Sequence, residues 1–310
     1  MIANEKFIRD IVDGVAECLQ GEGYHLEVRK IEKNNAASLT GLCVRKDDEE
    51  DALVIYLDGY WKSYTLGMSM EELISDICRL CRISHLEIPF AEGDLVDFSM
   101  MKKSIAFKLI NRDKNKELLE DVPHRELEDL AVVYYLYLGH DENGQLTALI
   151  HNHHMESWGV TEDILYMLAY ENTPQIFPMN LQSIEKVLGG FTEEIISGLD
   201  DEAKEYLKEN KLMYVLTNDT GVFGAAVVLY KDALQQAAEV VGGDFIILPS
   251  SCHEVLLIPY DDEIDPEEMR CMVQCINEME VPPEDVLSDS IYCYRSETGQ
   301  IEMLAGERTV

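Results

Sequence analysis

Three histidines within four residues form the densest group of chemically versatile side chains in the sequence. His151, His153 and His154 lie in the run Ile-His-Asn-His-His-Met-Glu-Ser-Trp, which ends at Trp158. On a strand, His151 and His153 would project to the same face. Their imidazole nitrogens could then hold zinc or another transition metal, with Glu156 as a third ligand or base. The alternative is a strand-to-helix junction, where the histidines satisfy backbone groups above a packed Trp158.

A second group combines a nucleophile, a base and a carboxylate in adjacent positions. Residues 250–254 read Ser-Ser-Cys-His-Glu. Cys252 and His253 would point to opposite faces of a strand, whereas catalytic pairs usually come together from distant positions. The sequence shows no G-x-S-x-G, Walker or Rossmann motif. From this group we keep only His253, as a fourth catalytic candidate beside His151, His153 and Glu156. We predict no resident metal or cofactor.

Two cysteine pairs have spacings that occur in metal sites. Cys78 and Cys81 form a C-x-x-C pair inside a predicted helix, where core packing is the expected role. Cys271 and Cys275 are neighbours at i and i+4 on another predicted helix, so they are either covered by a second layer or exposed. A zinc site built from all four cysteines is the remaining alternative. The face of the second helix predicted to be buried holds Met269, Met272, Val273 and Ile276.

Charge is the strongest bias of the composition. The 310 residues include 25 Lys and Arg against 60 Asp and Glu, a net charge of −35 that is spread along the chain. Such a surface repels nucleic acid and anionic lipid, so neither is predicted as a direct partner. One stretch is basic and predicts either a solvated helix face or a contact for an acidic protein partner. Its members are Lys102, Lys103, Lys108, Arg112, Lys114 and Lys116.

The composition is that of a folded chain inside the cell. Hydrophobic residues make up 46% of it, and it has only 9 Pro and 19 Gly, so a sizeable core can form. No apolar stretch approaches the roughly 20 residues that span a bilayer. The N-terminus lacks the pattern of a signal peptide, which predicts a cytoplasmic protein with its eight cysteines reduced.

Hydrophobic periodicity predicts an α+β fold made of small, mostly antiparallel sheets flanked by amphipathic helices. We expect three segments: an α-β-β-β-α unit over 1–95, a helical and β-hairpin segment over 96–200, and an α+β unit over 201–310. Both halves contain a helix, adjacent strands and a helix, so they could be related. The predicted helices are 4–20, 69–83, 97–119, 162–171, 181–188, 229–241 and one beginning at Asp265. The predicted strands are 24–31, 38–45, 52–57, 130–139, 145–152, 212–217, 224–228, 244–248, 254–259, 291–294 and 300–304.

An ordered set of phrases resembles a domain-of-unknown-function family (number 5688) of uncharacterised proteins from Gram-positive gut bacteria. The phrases run from 115 to 124, 129 to 134, 154 to 161, 172 to 178, 247 to 255 and 282 to 289. The resemblance implies a bacterial cytoplasmic protein and supplies no catalytic residues. It also implies recurrent local structures around Trp158, Pro174, Pro249, Ser250, His253 and Glu254.

Because no complete catalytic constellation is visible, the sequence favours a non-enzymatic module that binds a protein or peptide and has an acidic surface. A metal-dependent hydrolase centred on His151, His153 and Glu156 is the first alternative. An acidic mimic of nucleic acid, whose carboxylates imitate phosphates, is the second.

Overall fold

The computed structural model describes residues 3–47, 53–83, 97–141, 144–187 and 213–306. Backbone contacts divide the chain into two compact units, 1–88 and 89–310. Every strand pairing in the described ranges is antiparallel, in sheets of three, four and six strands. This confirms the predicted α+β class, whereas a relation between the two halves stays a prediction.

The first unit packs helices against one face of a small sheet. Its elements are α1 (Glu5–Cys18), β1 (Tyr24–Glu32), β2 (Ser38–Lys46), β3 (Leu53–Tyr56), α2 (Leu57–Thr65) and α3 (Met70–Ile83). The strand order is β1-β2-β3, so β1 is an edge strand. All of these elements except α2 are predicted from the sequence.

The core of the first unit explains why its elements are readable from the sequence. Apolar side chains at helical spacing on α1 and α3 meet the inward-facing residues of β2 and β3. The buried set includes Phe7, Ile11, Val15, Leu42, Val44, Ile55, Leu73, Ile77, Cys78 and Cys81. Cys78 and Cys81 therefore pack in a core, as expected. Helix α3 begins with the predicted capping box, in which Ser69 and Glu72 exchange hydrogen bonds.

The second unit begins with a four-stranded sheet. Its elements are α4 (Phe98–Met101), β4 (Ile105–Asn111), α5 (Lys116–Asp121), β5 (His124–Leu127), β6 (Leu130–Asp141) and β7 (Gly144–Leu149). Strand β6 pairs with β4 along one edge, and with β5 and then β7 along the other. The predicted helix over 97–119 is wrong. Residues 105–111 are almost continuously apolar and buried on both faces, a pattern that periodicity alone cannot tell from a buried helix.

A pair of helices follows, and its boundaries correct two predictions. The elements are α6 (Asn152–Trp158), α7 (Glu162–Ile176), β8 (Met179–Ser183) and α8 (Ile184–Val187). The helix predicted over 162–171 continues through Pro174 to Ile176. The Thr173 hydroxyl donates to the Ala169 carbonyl at 2.6 Å and accepts the Phe107 amide of β4 at 3.2 Å. The predicted helix over 181–188 begins instead as β8, because that segment pairs with the next strand.

The remaining elements complete a six-stranded sheet. They are β9 (Tyr214–Asn218), a 3₁₀ helix (Gly224–Leu229), α9 (Ala233–Val241), β10 (Phe245–Leu248), β11 (Val255–Pro259), α10 (Pro266–Glu280), β12 (Ile291–Arg295) and β13 (Gln300–Ala305). The strand order is β13-β12-β10-β11-β9-β8. The prediction of a strand over 224–228 is wrong, because these residues form the 3₁₀ helix. The sheet joins β8, from the expected segment 96–200, to strands of 201–310, and the boundary between those segments lies outside the described residues.

Candidate functional site

The basic stretch does not form one face. Lys102 and Lys103 are exposed in the turn after α4, and Lys114 and Lys116 are exposed at the start of α5. Lys108 lies on β4, with its ammonium 4.4 Å from the centroid of the Phe223 ring. The expected helix face is therefore wrong.

The one arginine of the basic stretch forms ion pairs with carboxylates of the same chain. Only 12% of the Arg112 side chain is exposed, and its guanidinium lies 3.4 Å from Asp113 and 3.6 Å from Glu126. Lys116 also contacts Asp113, at 3.0 Å. A partner-binding role for these six residues stays a prediction, and these ion pairs oppose it.

The histidine cluster lies where β7 passes into α6. Nδ1 of His151 is 2.7 Å from Oδ2 of Asp121, and Nδ1 of His154 accepts the backbone N–H of His151 at 3.0 Å. The rings of His153 and His154 lie 3.9 Å apart, and His154 stacks on Trp158 at 5.9 Å. Burial, followed by repulsion from the other two histidines, lowers the pKa of His154. These contacts are those of the strand-to-helix junction.

The same cluster does not assemble the predicted metal site. His151, His153 and Glu156 do not bring three ligand atoms together anywhere in the described ranges. The hydrolase hypothesis therefore gains no support at this position. His253, the fourth catalytic candidate, lies in a different group.

Cys252, His253 and Asp285 form that group, at one end of the six-stranded sheet. Their ligand atoms lie within 4.8 Å of one another, and no other group of three does so among the described residues. Cys252 and His253 come from the connection between β10 and β11, and Asp285 from the connection between α10 and β12. The ends of β9 and β10 and the starts of β11 and β12 meet here, because the four strands lie side by side in the order β12-β10-β11-β9 and each adjacent pair is antiparallel.

Backbone hydrogen bonds fix the two connections against each other. The Cys252 amide donates to the Asp285 carbonyl at 2.8 Å, and Ser251 forms a β-bridge with Val286. The Leu287 amide donates to the Ser250 carbonyl at 3.0 Å. This short ladder places the side chain of Asp285 opposite Cys252 and His253.

The side chains converge on one carboxylate oxygen. Nε2 of His253 is 3.2 Å from Oδ1 of Asp285, and Sγ of Cys252 donates to the same oxygen at 3.7 Å. Hydrogen bonds to Asp285 and then to Cys252 act to raise the pKa of His253. The Phe223 amide donates to Nδ1 from 3.3 Å and opposes this shift, because a ring that makes this contact is neutral and carries its proton on Nε2. The Phe223 ring also stacks on the imidazole, with centroids 5.9 Å apart.

Sequence reasoning identifies His253 but misses Asp285, 32 positions further along the chain. Adjacent residues on a regular strand would point apart, but Cys252 and His253 lie in a bent connection and both reach the carboxylate. A usable signal exists, since the phrases 247–255 and 282–289 both belong to the set that carries the family resemblance. Co-occurrence of two phrases does not specify contact, so the pairing needs the sheet topology.

The second cysteine pair is not covered by another layer of the protein. Cys271 and Cys275 are exposed on α10. The predicted buried face of that helix is partly wrong: Val273 is buried, but Met272 and Ile276 are exposed. The four-cysteine zinc site gains no support, since Cys78 and Cys81 are buried in the core of the first unit.

An open groove lies on the outer face of the three-stranded sheet, opposite the face on which α1 and α3 pack. Its volume is about 890 Å³. The pairing register places His25 across from Arg45, Glu27 across from Cys43, and Cys43 across from Val54. Arg29 and Arg45 are exposed on this face, and Arg29 contacts Glu27 at 2.7 Å. Its chemistry is thus cationic with an apolar floor.

Comparison with known proteins assigns a family but no activity. None of the helices in the described part of the chain is long and apolar enough to cross a membrane. No curated protein and no solved structure matches the chain significantly. Residues 4–296 match the family of unknown function DUF5688. Since that match covers nearly all of the chain, the protein belongs to this family, as its sequence phrases predict.

Proposed function

We propose that the protein is a non-enzymatic, peptide-binding module whose first unit takes an extended acidic segment beside β1. The groove on the outer face of the first sheet is the observation that carries the proposal. The proposal keeps the cytoplasmic location expected from the sequence, where the eight thiols stay reduced.

The first support is the free edge of the sheet. Strand β1 has nine residues in unbroken register with β2, and in the described part of the unit β2 is its one strand neighbour. The opposite edge of β1 presents backbone donors and acceptors that can pair with an added strand. Main-chain pairing of this kind provides affinity with little demand on the sequence of the peptide.

The second support is the charge of the face. Arg29 and Arg45 are exposed there, and the ammonium of Lys33 lies 4.2 Å from the Tyr56 ring centroid. Glu27 is one opposing carboxylate, and hydrogen bonding from Arg29, with a smaller contribution from Arg45, lowers its pKa. Asp47 is another, and it contacts His25 at 2.6 Å. Among the residues that line the groove, Arg29, Lys30 and Arg45 stand against Glu27 and Glu32, although the chain as a whole carries −35. An acidic peptide complements this face, and the rest of the surface repels it.

The third support is the apolar floor between the charges. Ile31, Cys43 and Val54 are half-buried on the outer face. Gly41 lies between Ile31 and Val54. A Cβ at this position would be 2.4 Å from Ile31 and 3.0 Å from Val54, so the two side chains can approach each other only over a glycine. Alternate side chains of an added strand would lie beside Ile31, at the margin of this floor nearest the free edge, while the intervening ones point to the other face of the sheet.

The test is fluorescence anisotropy of the full chain with a labelled peptide of alternating glutamate and valine. We expect saturable binding that weakens as salt is added, since exposed charges are screened. Arg45→Glu should weaken binding roughly tenfold or more, because it places like charges opposite each other. Arg9→Glu is the matched control, an equal charge change at an exposed position of α1, and it should leave affinity nearly unchanged.

Two further peptides decide whether recognition uses the edge strand. A lysine-for-glutamate peptide can bind the acidic surface elsewhere, but Arg45→Glu should not weaken that binding, and a glutamate peptide methylated on alternate backbone nitrogens should bind poorly because it cannot pair with β1. An Arg45→Glu substitution that leaves the affinity for the glutamate peptide unchanged, or unimpaired binding of the methylated peptide, would refute the proposal.

A further inference from the structure

We propose that Cys252, His253 and Asp285 form a binding site for a divalent transition metal of the zinc class. This site lies in the second unit and is independent of the peptide groove. The ligand types fit, since zinc accepts thiolate sulfur, imidazole nitrogen and carboxylate oxygen together. Sγ, Nε2 and Oδ1 would be the ligand atoms.

The spacing of these atoms suits tetrahedral coordination. Zinc lies about 2.3 Å from sulfur and about 2.0 Å from nitrogen or oxygen, so adjacent ligand atoms are separated by roughly 3.3–3.5 Å. The observed separations are 3.7 Å from Sγ of Cys252 to Oδ1 of Asp285 and 3.2 Å from Nε2 of His253 to the same oxygen. Sγ and Nε2 are within 4.8 Å of each other, so a small rotation of either side chain would place all three atoms around one ion.

Hydrogen bonds hold the backbone around these ligands in place before any ion binds. The backbone of Cys252 is bonded on both sides, by its own amide to Asp285 and by the Ala225 amide to its carbonyl. The Thr217 hydroxyl donates to the His253 carbonyl at 2.7 Å. Ligands fixed by such outer contacts lose little conformational freedom when an ion binds.

The geometry favours metal binding over nucleophilic catalysis. In a thiol-histidine-carboxylate triad, the imidazole lies between the other two groups and takes the thiol proton. Here the imidazole is not placed between the other two groups: although Cys252 also contacts the ring, Nε2 and the thiol both face Asp285, and the second nitrogen faces the Phe223 amide. Cys252 is also only 3% exposed, which denies a substrate access to the sulfur.

Binding has a definite proton balance. The ion displaces the thiol proton of Cys252, which leaves to solvent. It also replaces the proton on Nε2 of His253, which leaves to solvent while another proton binds Nδ1, so the ring stays neutral and the 3.3 Å contact from the Phe223 amide is lost. About 30% of the His253 side chain and 28% of the Asp285 side chain are exposed, which leaves the fourth position to water.

Cobalt spectroscopy of the full chain tests the site. The background protein carries Cys271→Ser and Cys275→Ser, which removes the exposed thiol pair of α10. Titrating the metal-free protein with Co²⁺ should give a thiolate-to-cobalt charge-transfer band that saturates at one equivalent and disappears when Zn²⁺ is added. Cys252→Ser should abolish the band, and Asp285→Asn should weaken Co²⁺ affinity at least about tenfold. Cys43→Ser, at a half-buried thiol of the first unit, should leave it intact.

A second readout needs no substitution among the ligands. Zn²⁺ should shift the amide resonance of Phe223 in the background protein, because that N–H loses its acceptor. Absence of a thiolate-cobalt band from the folded background protein would overturn the inference. Persistence of the band with unchanged affinity in Asp285→Asn would overturn it equally.

Discussion

Gly224 shows how much the geometry of the Cys252, His253 and Asp285 group depends on a position without a side chain. A Cβ at this position would lie 2.0 Å from the Thr217 hydroxyl oxygen and 2.5 Å from the His253 carbonyl oxygen. That carbonyl accepts the Thr217 hydroxyl, so all three residues share one close-packed corner. The glycine is needed for space, since its φ is not in the left-handed region.

Gly224→Ala should therefore destabilise the second unit by about 1–3 kcal/mol, because the added methyl group must push backbone aside. Denaturant unfolding measures this directly. Gly59→Ala on α2 is the control: a Cβ there meets nothing within 4 Å, and alanine should stabilise the helix by up to about 1 kcal/mol. Equal responses of the two variants would contradict the packing argument.

Asp129 is a second residue whose role is set by its surroundings. It is a buried carboxylate in the turn between β5 and β6. Ser290 donates to its Oδ2 at 2.9 Å and Ser288 donates to the same oxygen, while the Tyr292 hydroxyl donates to Oδ1. Burial, reinforced by the carboxylate, raises the pKa of Tyr292. One side chain thus ties the four-stranded sheet to the segment that leads into β12.

Asp129→Ala should lower the free energy of unfolding by about 3 kcal/mol, since it leaves buried hydroxyls without their charged acceptor. Asp129→Asn keeps one oxygen acceptor and should cost less. Glu171→Ala removes an exposed carboxylate from α7 and should be nearly neutral. Urea titration of the three variants checks this order, and a cost for Asp129→Ala no larger than for Glu171→Ala would refute it.

At the scale of elements, α6 shows a helix start that depends on protonation. Nδ1 of His154 accepts the backbone N–H of His151 at the start of α6. The first N–H groups of a helix have no partner within the helix, so this side chain supplies one. Burial holds the pKa of His154 below its ordinary value, so the folded chain keeps this ring neutral. The unfolded chain binds a proton more readily at this position.

Stability should consequently fall as the pH drops below the ordinary histidine pKa of about 6.5, because the unfolded state then binds more protons. The loss should level off once the pH is below the depressed folded pKa. His154→Gln should flatten this slope, while His25→Gln, at an exposed ring of the first unit, should preserve it. Unfolding midpoints across mildly acidic pH provide the measurement. An unchanged slope in His154→Gln would assign the pH dependence to other groups.

Elements with amphipathic periodicity are predictable from the sequence, and those set by tertiary pairing are not. Helices α1 and α3 carry apolar stripes and begin at Asn4 and Ser69, whose side chains bond the first turn. Strand β4 is missed because its apolar run suits a helix equally well, and β8 because its strand form depends on pairing with β9. The contact between His253 and Asp285 is missed for the same reason, since only the sheet topology brings these two residues together.

At the scale of the whole molecule, the charge of −35 acts against compactness. Like charges repel across the surface, and this destabilises the folded state at low ionic strength. The Debye length shortens from about 30 Å at 0.01 M to about 8 Å at 0.15 M ionic strength, which removes most of that repulsion.

The melting temperature should therefore rise between these two ionic strengths, as differential scanning calorimetry can show. Sodium chloride and sodium sulfate at equal ionic strength should act alike, because screening depends on charge and concentration only. A rise confined to sulfate would point to ion-specific stabilisation, and an absence of any rise would show that the surface charge is already compensated.

The contact between α7 and β4 also bears on how the chain behaves when it is concentrated. The Thr173 hydroxyl accepts the outward amide of Phe107, and the Asn172 side chain donates to the carbonyls of Lys102 and Ile105. These bonds occupy backbone groups that a neighbouring molecule would otherwise use as a template. Fibril growth from β4 would first have to unwind the end of α7. Two polar side chains thereby cover the first part of the exposed edge of the apolar β4.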